Sequence, residues 1–197
     1  MDIKEQIRSF LATLKPRILT NGFTRQAAVL MPLFEQEGDY YFLLTKRTEQ
    51  VQTHKGQISF PGGMREGEEE LTKTALRETF EEIGIEESKI DILGRFHDYI
   101  SITRYRVTPF VGFIRNPFEI KPQAHEVAEV LRVPYRIFQD PVGMRVKKST
   151  VKRAGKYVYF YIYGSHEIWG LTARILKDFF HDLKVYAQNS GGNQQKT

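Results

Sequence analysis

Residues 63–85 read GMREGEEELTKTALRETFEEIGI, and this stretch determines how the rest of the chain is interpreted. Apolar residues recur there at helical spacing, and Gly84 follows them in the position of a C-terminal cap, which predicts a helix. Glu78, Glu81 and Glu82 share one stripe of that helix because they are spaced three and four residues apart. Mutual repulsion and the negative end of the helix dipole favour a cation against the stripe.

The alternative is a solvated acidic face on which salt bridges, such as Glu69 with Lys73, reduce the repulsion. Arg77 lies beside the stripe, and we expect it to pair with one glutamate rather than with three. The bend FPGG at residues 60–63 favours the cation, because it would bring backbone carbonyls close to the stripe. Carboxylate and carbonyl oxygens are the ligands that Mg²⁺ and Mn²⁺ prefer, with positions left for water and substrate phosphates.

The composition fits one compact domain that takes an anionic ligand. The 197 residues are 41% hydrophobic and carry a net charge of +5, yet residues 66–87 hold nine of the 24 acidic side chains. A basic body around an acidic centre suits an anionic substrate brought to a metal ion. Specific nucleic-acid binding is not expected, because no recognisable binding motif accompanies the basic residues. The absence of cysteine excludes disulfides and cysteine nucleophiles.

The same composition predicts a cytoplasmic protein without a membrane segment. No stretch approaches the roughly 20 continuous apolar residues that a membrane span needs. The start, MDIKEQIRSFLATLK, has the pattern of an amphipathic helix rather than of a signal peptide. Both a monomer and a homodimer stay open.

Strands are predicted around the acidic helix, which we place over about residues 70–83. QAAVLMPLF and YYFLLTKR flank the polar turn EQEGD and predict a hairpin. Further strand-like segments are IDILGRFHDYI, YRVTPFVGFI, HEVAEVLRVP and TVKRAGKYVYFYIYG, the last with a turn at Ala154 and Gly155. Pro134 opens a short helix through Phe138. Mixed strands interrupted by a helix predict an α+β or α/β sandwich.

Helices are predicted at both ends of the chain. Residues 1–15 form an N-terminal helix by their periodicity, and residues 168–183, IWGLTARILKDFFHDL, form a closing helix that packs Trp169 into the core. We expect a single domain over residues 1–187. A disordered polar tail is expected over residues 188–197.

The central stretch resembles the Nudix box, in which glycine, glutamate, Arg-Glu, Glu-Glu and glycine recur at fixed spacing. The positions in register are Gly63, Glu69, Arg77, Glu78, Glu81, Glu82, Gly84 and Ile85. Thr79 departs from the aliphatic residue that the pattern prefers, and its methyl group can still pack. The resemblance implies an α/β fold, the family's α/β/α sandwich with a mixed central sheet. It also implies hydrolysis of a nucleoside diphosphate linked to another group, with Mg²⁺ or Mn²⁺.

The resemblance also implies a set of metal ligands. Glu78, Glu81 and Glu82 would bind the ion directly or through water, and the carbonyl of Gly63 is a further ligand. The metal would neutralise the diphosphate and lower the pKa of a bound water, which attacks phosphorus.

Two further roles follow from the resemblance. Glu69 and Arg77 would form the ion pair that holds the loop against the helix. Glu78 is the first choice for the catalytic base, because its carboxylate should lie near the metal-bound water. Glu126 and Glu129 are the alternatives, and for both of them a solvated position on a strand edge is equally consistent with the sequence.

Residues 43–63, LLTKRTEQVQTHKGQISFPGG, resemble the signature of the coenzyme A pyrophosphatase branch. The positions that match are Leu43, Leu44, Thr45, Arg47, Gly56, Phe60, Pro61, Gly62 and Gly63. Thr48 replaces serine or alanine, and Gln52 replaces a second arginine, so one cation that would face a phosphate is missing. The substrate-binding candidates are Arg47, Lys46, Lys55 and Gly62, and Lys46, Lys55 or Arg65 can compensate for the missing cation.

The implied partner is a small-molecule nucleotide. The branch cleaves coenzyme A, or an acyl or oxidised derivative, to 3′,5′-ADP and (acyl-)4′-phosphopantetheine. Gln52 keeps an alternative open, namely another nucleoside diphosphate derivative such as ADP-ribose, a dinucleotide or a nucleotide sugar. A third possibility is a binding module without activity, which would be expected to lack glutamates of the box, and all of them are present.

Overall fold

A computed structural model describes residues 2–49, 56–140, 143–149 and 157–192. The helices are α1 (Ile3–Thr13), α2 (Leu71–Ile83), α3 (Arg136–Gln139) and α4 (Gly170–Gly192), with a 3-10 turn at Glu87–Lys89. The strands are β1 (Arg25–Gln36), β2 (Asp39–Arg47), β3 (Ile58–Ser59), β4 (Gly62–Met64), β5 (Ile90–Arg95), β6 (Tyr99–Ile100), β7 (Tyr105–Ile114), β8 (Val127–Pro134), β9 (Met144–Lys148), β10 (Tyr157–Tyr163) and β11 (His166–Trp169).

A mixed sheet of eight strands forms the centre of the fold. Strand β1 pairs antiparallel with β2 and β4 and parallel with β7. Strands β3 and β8 extend the sheet from β2, while β5 and β6 extend it from β7, all antiparallel. A smaller sheet has the order β11-β10-β9. The predicted hairpin of β1 and β2 and the predicted mixed sheet are both confirmed.

Both faces of the central sheet are buried, because successive side chains of β1 point to opposite sides. Met31 and Leu33 belong to a core cluster shared with α1 and α4. Ala28 and Leu30 belong to a second cluster shared with α2. Helices therefore cover both faces, and the predicted α/β/α sandwich is confirmed.

Helix α2 ends where the sequence predicts it to end. Gly84 adopts a left-handed conformation with φ of 73°, and its N–H donates to the carbonyl of Phe80 at 2.8 Å. A side chain at Gly84 would meet the Cβ of Lys121 at 2.7 Å, which adds a steric reason for glycine. Thr79 is fully buried, and its hydroxyl donates to the carbonyl of Ala75 at 2.7 Å, so the departure from the Nudix pattern is accommodated.

The expected position of Trp169 is wrong. Ile168 and Trp169 end β11, where they pair with β10, instead of beginning the closing helix. Gly170, with φ of 69°, directly follows this strand and is the first residue of α4. Alternation along the strand buries Ile168 completely and leaves Trp169 39% exposed.

The two ends of the chain agree with the prediction to different degrees. The N-terminal helix is confirmed, with α1 over Ile3–Thr13. Helix α4 continues to Gly192, so residues 188–192 are helical where a disordered tail is expected. Residues 193–197 and the turn expected at residues 154–155 lie outside the described residues. Across the described part of the chain, no helix combines the length and apolar character needed to cross a membrane.

Candidate active site

The acidic stripe of α2 divides into a buried part and an exposed part. The side chains of Glu78 and Glu82 are 17% and 5% exposed, whereas that of Glu81 is 53% exposed. Residues four apart stack on the same line of a helix, and this line faces the sheet. Two carboxylates are therefore held close together in a poorly hydrated place, where their charge is costly.

Arg77 forms ion pairs with four glutamates, two of which belong to the stripe, so the expectation of a single partner there is wrong. One terminal nitrogen of its guanidinium donates to Glu78 at 2.9 Å and to Glu81 at 3.1 Å. The other donates to Glu69 at 2.9 Å and to the carbonyl of Met64 at 3.0 Å. A guanidinium carries five N–H groups in a planar fork, which permits this number of acceptors.

Glu69 anchors the loop before α2. Its carboxylate accepts from Arg77 and, at 2.9 Å, from the hydroxyl of Thr74. The hydrogen bond from Arg77 is the main reason that the pKa of Glu69 is lowered to about 2. The predicted ion pair of Glu69 and Arg77 is confirmed, whereas Lys73 pairs with Glu87 and not with Glu69.

The backbone of β4 passes directly against α2. A Cβ atom on Gly63 would lie 2.4 Å from the carboxylate of Glu78, so only glycine permits this approach. Burial is the main cause that raises the pKa of Glu78, and the charge of Arg77 opposes the rise. The bend of FPGG thus brings backbone to the acidic stripe as the sequence predicts.

Glu82 is the most deeply buried acid of the site. Burial raises its pKa to about 8, the charges of Glu78 and Glu126 add to the rise, and the charge of Arg47 opposes it. The guanidinium of Arg47 lies 3.7 Å from Glu82 and 4.0 Å from Glu126. The hydroxyl of Thr45 donates to Glu82 at 3.2 Å. One long ion pair and one hydrogen bond therefore compensate only part of the desolvation.

Alternation along β2 determines which basic residues reach the site. Thr45 and Arg47 both contact Glu82 of α2, whereas Lys46 between them does not line the cavity described below. The Nε atom of Arg47 is buried, and no described residue accepts a hydrogen bond from it. Lys55 and Gln52 lie outside the described residues.

A cavity of about 550 Å³ joins the predicted residues. Those that line it are Arg47, Gly62, Gly63, Glu78, Glu82 and Glu126. The other predicted residues in the described ranges, Lys46, Arg77 and Glu81, lie outside the lining. Glu129, an alternative base, faces His166 at 3.5 Å and also lies outside it.

The cavity also has an apolar wall, which sequence reasoning missed. Its members include Val29, Phe60, Ile102, Tyr105, Val107, Trp169, Leu171 and Ile175. Ile102 carries no sequence signal that would place it here. For Trp169, the following glycine and the strand-like residues before it were the available signal.

Within the described ranges, no three acidic or histidine side chains converge closely enough to hold a metal ion by themselves. The predicted ligands Glu78, Glu81 and Glu82 are not gathered around one point, because Arg77 holds Glu81 at the exposed side while Glu82 lies deep. The donor set still fits a hard divalent cation. Burial raises the pKa of Glu78 and of Glu82, so their ionised forms are disfavoured unless a cation is present. The backbone of Gly63 lies close to the carboxylate of Glu78.

Comparisons with known proteins agree with this geometry. Residues 24–149 match the family model described as the NUDIX domain. The chain is 33% identical over 193 residues to Nudix hydrolase 22, chloroplastic, of Arabidopsis thaliana, covering 89% of this chain and 64% of that protein. It therefore spans less than two thirds of that relative.

A second relative is the peroxisomal coenzyme A diphosphatase NUDT7 of Mus musculus. The two are 30% identical over 182 residues, which cover 88% of this chain and 75% of the mouse protein. Among solved structures, the MutT protein from Methanosarcina mazei Go1 superposes with a TM-score of 0.54 at 20% identity, covering 86% of this chain and 99% of that one. This last likeness concerns the fold alone.

Proposed function

The chain belongs to the Nudix family, and we propose that it hydrolyses the diphosphate of coenzyme A, or of an acyl or oxidised derivative. The products are 3′,5′-ADP and (acyl-)4′-phosphopantetheine. The observation that carries the proposal is the convergence of Glu78, Glu82 and Arg47 on one cavity that also has an apolar wall. Carboxylates for a cation, a guanidinium for a phosphate and room for an organic group are the parts that this reaction requires.

Mg²⁺ or Mn²⁺ is the proposed cofactor, held by Glu78, Glu82 and the carbonyl of Gly63, with Glu81 contributing from the exposed side. The ion would supply charge neutralisation at the diphosphate and a more acidic water. A dication would also stabilise the ionised form of the two buried carboxylates, which burial now disfavours. Arg47, now between Glu82 and Glu126, would then be available to a substrate phosphate.

Glu78 is the proposed base. Arg77 fixes the orientation of its carboxylate from 2.9 Å, and this carboxylate lines the cavity together with that of Glu82. Water adds to phosphorus, Glu78 accepts the proton, and the bond from phosphorus to the bridging oxygen breaks. Glu126, which lines the cavity at its exposed side, is the alternative base.

Two observations support coenzyme A as the substrate. Residues 43–63 match most positions of the coenzyme A pyrophosphatase signature, and the mouse relative carries the name of a coenzyme A diphosphatase. The second candidate is another nucleoside diphosphate derivative, such as ADP-ribose. It is favoured by Gln52, because glutamine cannot replace the bidentate, charged contact of an arginine with the 3′-phosphate.

The test is metal-dependent turnover of coenzyme A, dephospho-coenzyme A, ADP-ribose and NADH by the full chain. We expect coenzyme A to have the highest kcat/KM, and Glu82→Gln to lower it about 100-fold or more. Glu129→Gln is the matched control, because Glu129 lies outside the cavity, and it should retain activity. No hydrolysis of any compound would overturn the enzyme assignment, and preference for ADP-ribose would replace coenzyme A by the second candidate.

A further inference from the structure

Two exposed apolar side chains lie at the cavity of the buried carboxylates. Ile102, in the turn between β6 and β7, is 54% exposed, and Trp169, at the end of β11, is 39% exposed. Both line the cavity that contains Glu78 and Glu82. Apolar and aromatic side chains that line the same cleft as a few charged groups indicate a ligand surface, because ligand pockets have this composition.

The ring of Trp169 is supported by a neighbouring aromatic ring. Trp169 pairs with Phe160 across β11 and β10, and the two rings stack with centroids 6.3 Å apart and planes 19° from parallel. The ammonium of Lys147 lies 4.8 Å from the centre of the Phe160 ring. Because Phe160 and Lys147 support the stack, little side-chain freedom is lost when a ligand contacts the indole.

The chemistry of the lining defines the ligand. The cavity combines Glu82 and Arg47, which suit a metal-bound diphosphate, with the aromatic face of Trp169 and the aliphatic side chain of Ile102. A planar heterocycle gains stacking energy on such a face, whereas a flexible chain gains only contact area. A nucleotide has both features, a charged diphosphate and a planar base.

We propose that Trp169 stacks on the base of the nucleoside diphosphate substrate and that Ile102 packs against the same base or its ribose. This inference rests on the proposed function and deepens it. The two residues determine recognition of the nucleoside part, so the other organic group of the substrate leaves the diphosphate in a different direction.

Trp169 is the single tryptophan of the chain, so its fluorescence reports directly on this contact. The full chain is titrated with ADP, with 4′-phosphopantetheine and with inorganic pyrophosphate, and no turnover is required. We expect saturable quenching by ADP, whose base stacks on the indole, and an unchanged emission with the other two compounds. Quenching by 4′-phosphopantetheine alone would overturn the proposal, because the apolar wall would then hold the pantetheine arm.

The outcomes separate this inference from the proposed function. Unchanged emission with ADP in an active enzyme would overturn the stacking proposal and leave the hydrolase assignment intact. Quenching by ADP in a protein that hydrolyses none of the compounds would support the nucleotide contact and overturn the assignment of activity.

Kinetics of variants give a second readout. Trp169→Ala should raise KM about tenfold or more with kcat nearly unchanged, because base stacking acts on binding. Trp169→Phe should restore most of the affinity. Ile102→Ala should raise KM less than Trp169→Ala does. Ile18 is as exposed as Ile102 but lies outside the cavity, so Ile18→Ala should leave KM unchanged. A Trp169→Phe variant with the KM of Trp169→Ala, or a fall in kcat alone, would contradict the stacking role.

Discussion

Replacing Glu82 by glutamine tests whether the folded protein disfavours the ionised form of this carboxylate. The pKa of Glu82 is about 8 in the folded chain, against 4.5 for an ordinary glutamate. Between these values the folded state retains a proton that the unfolded state has lost, so stability falls as the pH rises. Each pH unit in this range lowers the free energy of unfolding by about 1.4 kcal/mol. The total loss above about pH 8 is at most about 5 kcal/mol.

Glutamine is neutral at every pH and keeps an acceptor for the hydroxyl of Thr45. It loses the charge that faces Arg47 at 3.7 Å, an attraction that the folded-state pKa of Glu82 already includes. We expect metal-free Glu82→Gln to match the wild type near pH 5 and to be more stable by about 2–4 kcal/mol near pH 8. Urea unfolding with a chelator measures both free energies of unfolding, and Glu81→Gln, an exposed change on the same helix, is the control.

Divalent metal gives the second arm of the same experiment. Mg²⁺ or Mn²⁺ near pH 8 should stabilise the wild type by mass action, and Glu82→Gln should respond much less. Parallel pH profiles of the wild type and Glu82→Gln would refute the reasoning, because Glu82 would then titrate as an ordinary carboxylate. The argument that the buried carboxylates need a cation would then lose its main support.

Three further variants test the remaining parts of the site. Gly63→Ala should lower kcat/KM about 100-fold in steady-state assays while circular dichroism shows an intact fold, because its Cβ would displace Glu78 from 2.4 Å. Glu69→Gln should lower the free energy of unfolding by about 1–2 kcal/mol above pH 5, and acid titration should remove this difference towards pH 2, where the folded-state pKa lies. Gln52→Arg should lower KM for coenzyme A more than for dephospho-coenzyme A, and equal effects would show that residue 52 does not contact the 3′-phosphate.

Features that depend on neighbouring residues were predictable from the sequence. Helix α2 and its end at Gly84 follow from apolar spacing and one glycine, both within a single stretch. The hairpin of β1 and β2 follows from two apolar runs around a polar turn. Glu69 and Arg77 are eight residues apart in the sequence. Their ion pair was indicated by the family resemblance and not by periodicity.

Features that depend on distant partners were not predictable in this way. Trp169 belongs to a strand of four residues that exists because β10 offers it a partner, and its apolar spacing alone also fits the helix that follows. The number of acceptors around Arg77 depends on the path of β4, which brings the carbonyl of Met64 to the guanidinium. Both pairings depend on residues distant in the sequence, and for Trp169 the following glycine was a local signal.

The same distinction separates the chemistry of the site from its specificity. Glu78 and Glu82 lie on one turn of one helix, so a local motif contains them. The apolar wall is assembled by strand register, since β1 pairs Ala27 with Val107 of β7 on one side and with Met64 of β4 on the other. A substitution in that wall therefore leaves the carboxylates in place and changes the space beside them, so substrate choice can diverge among relatives that share the same acidic helix.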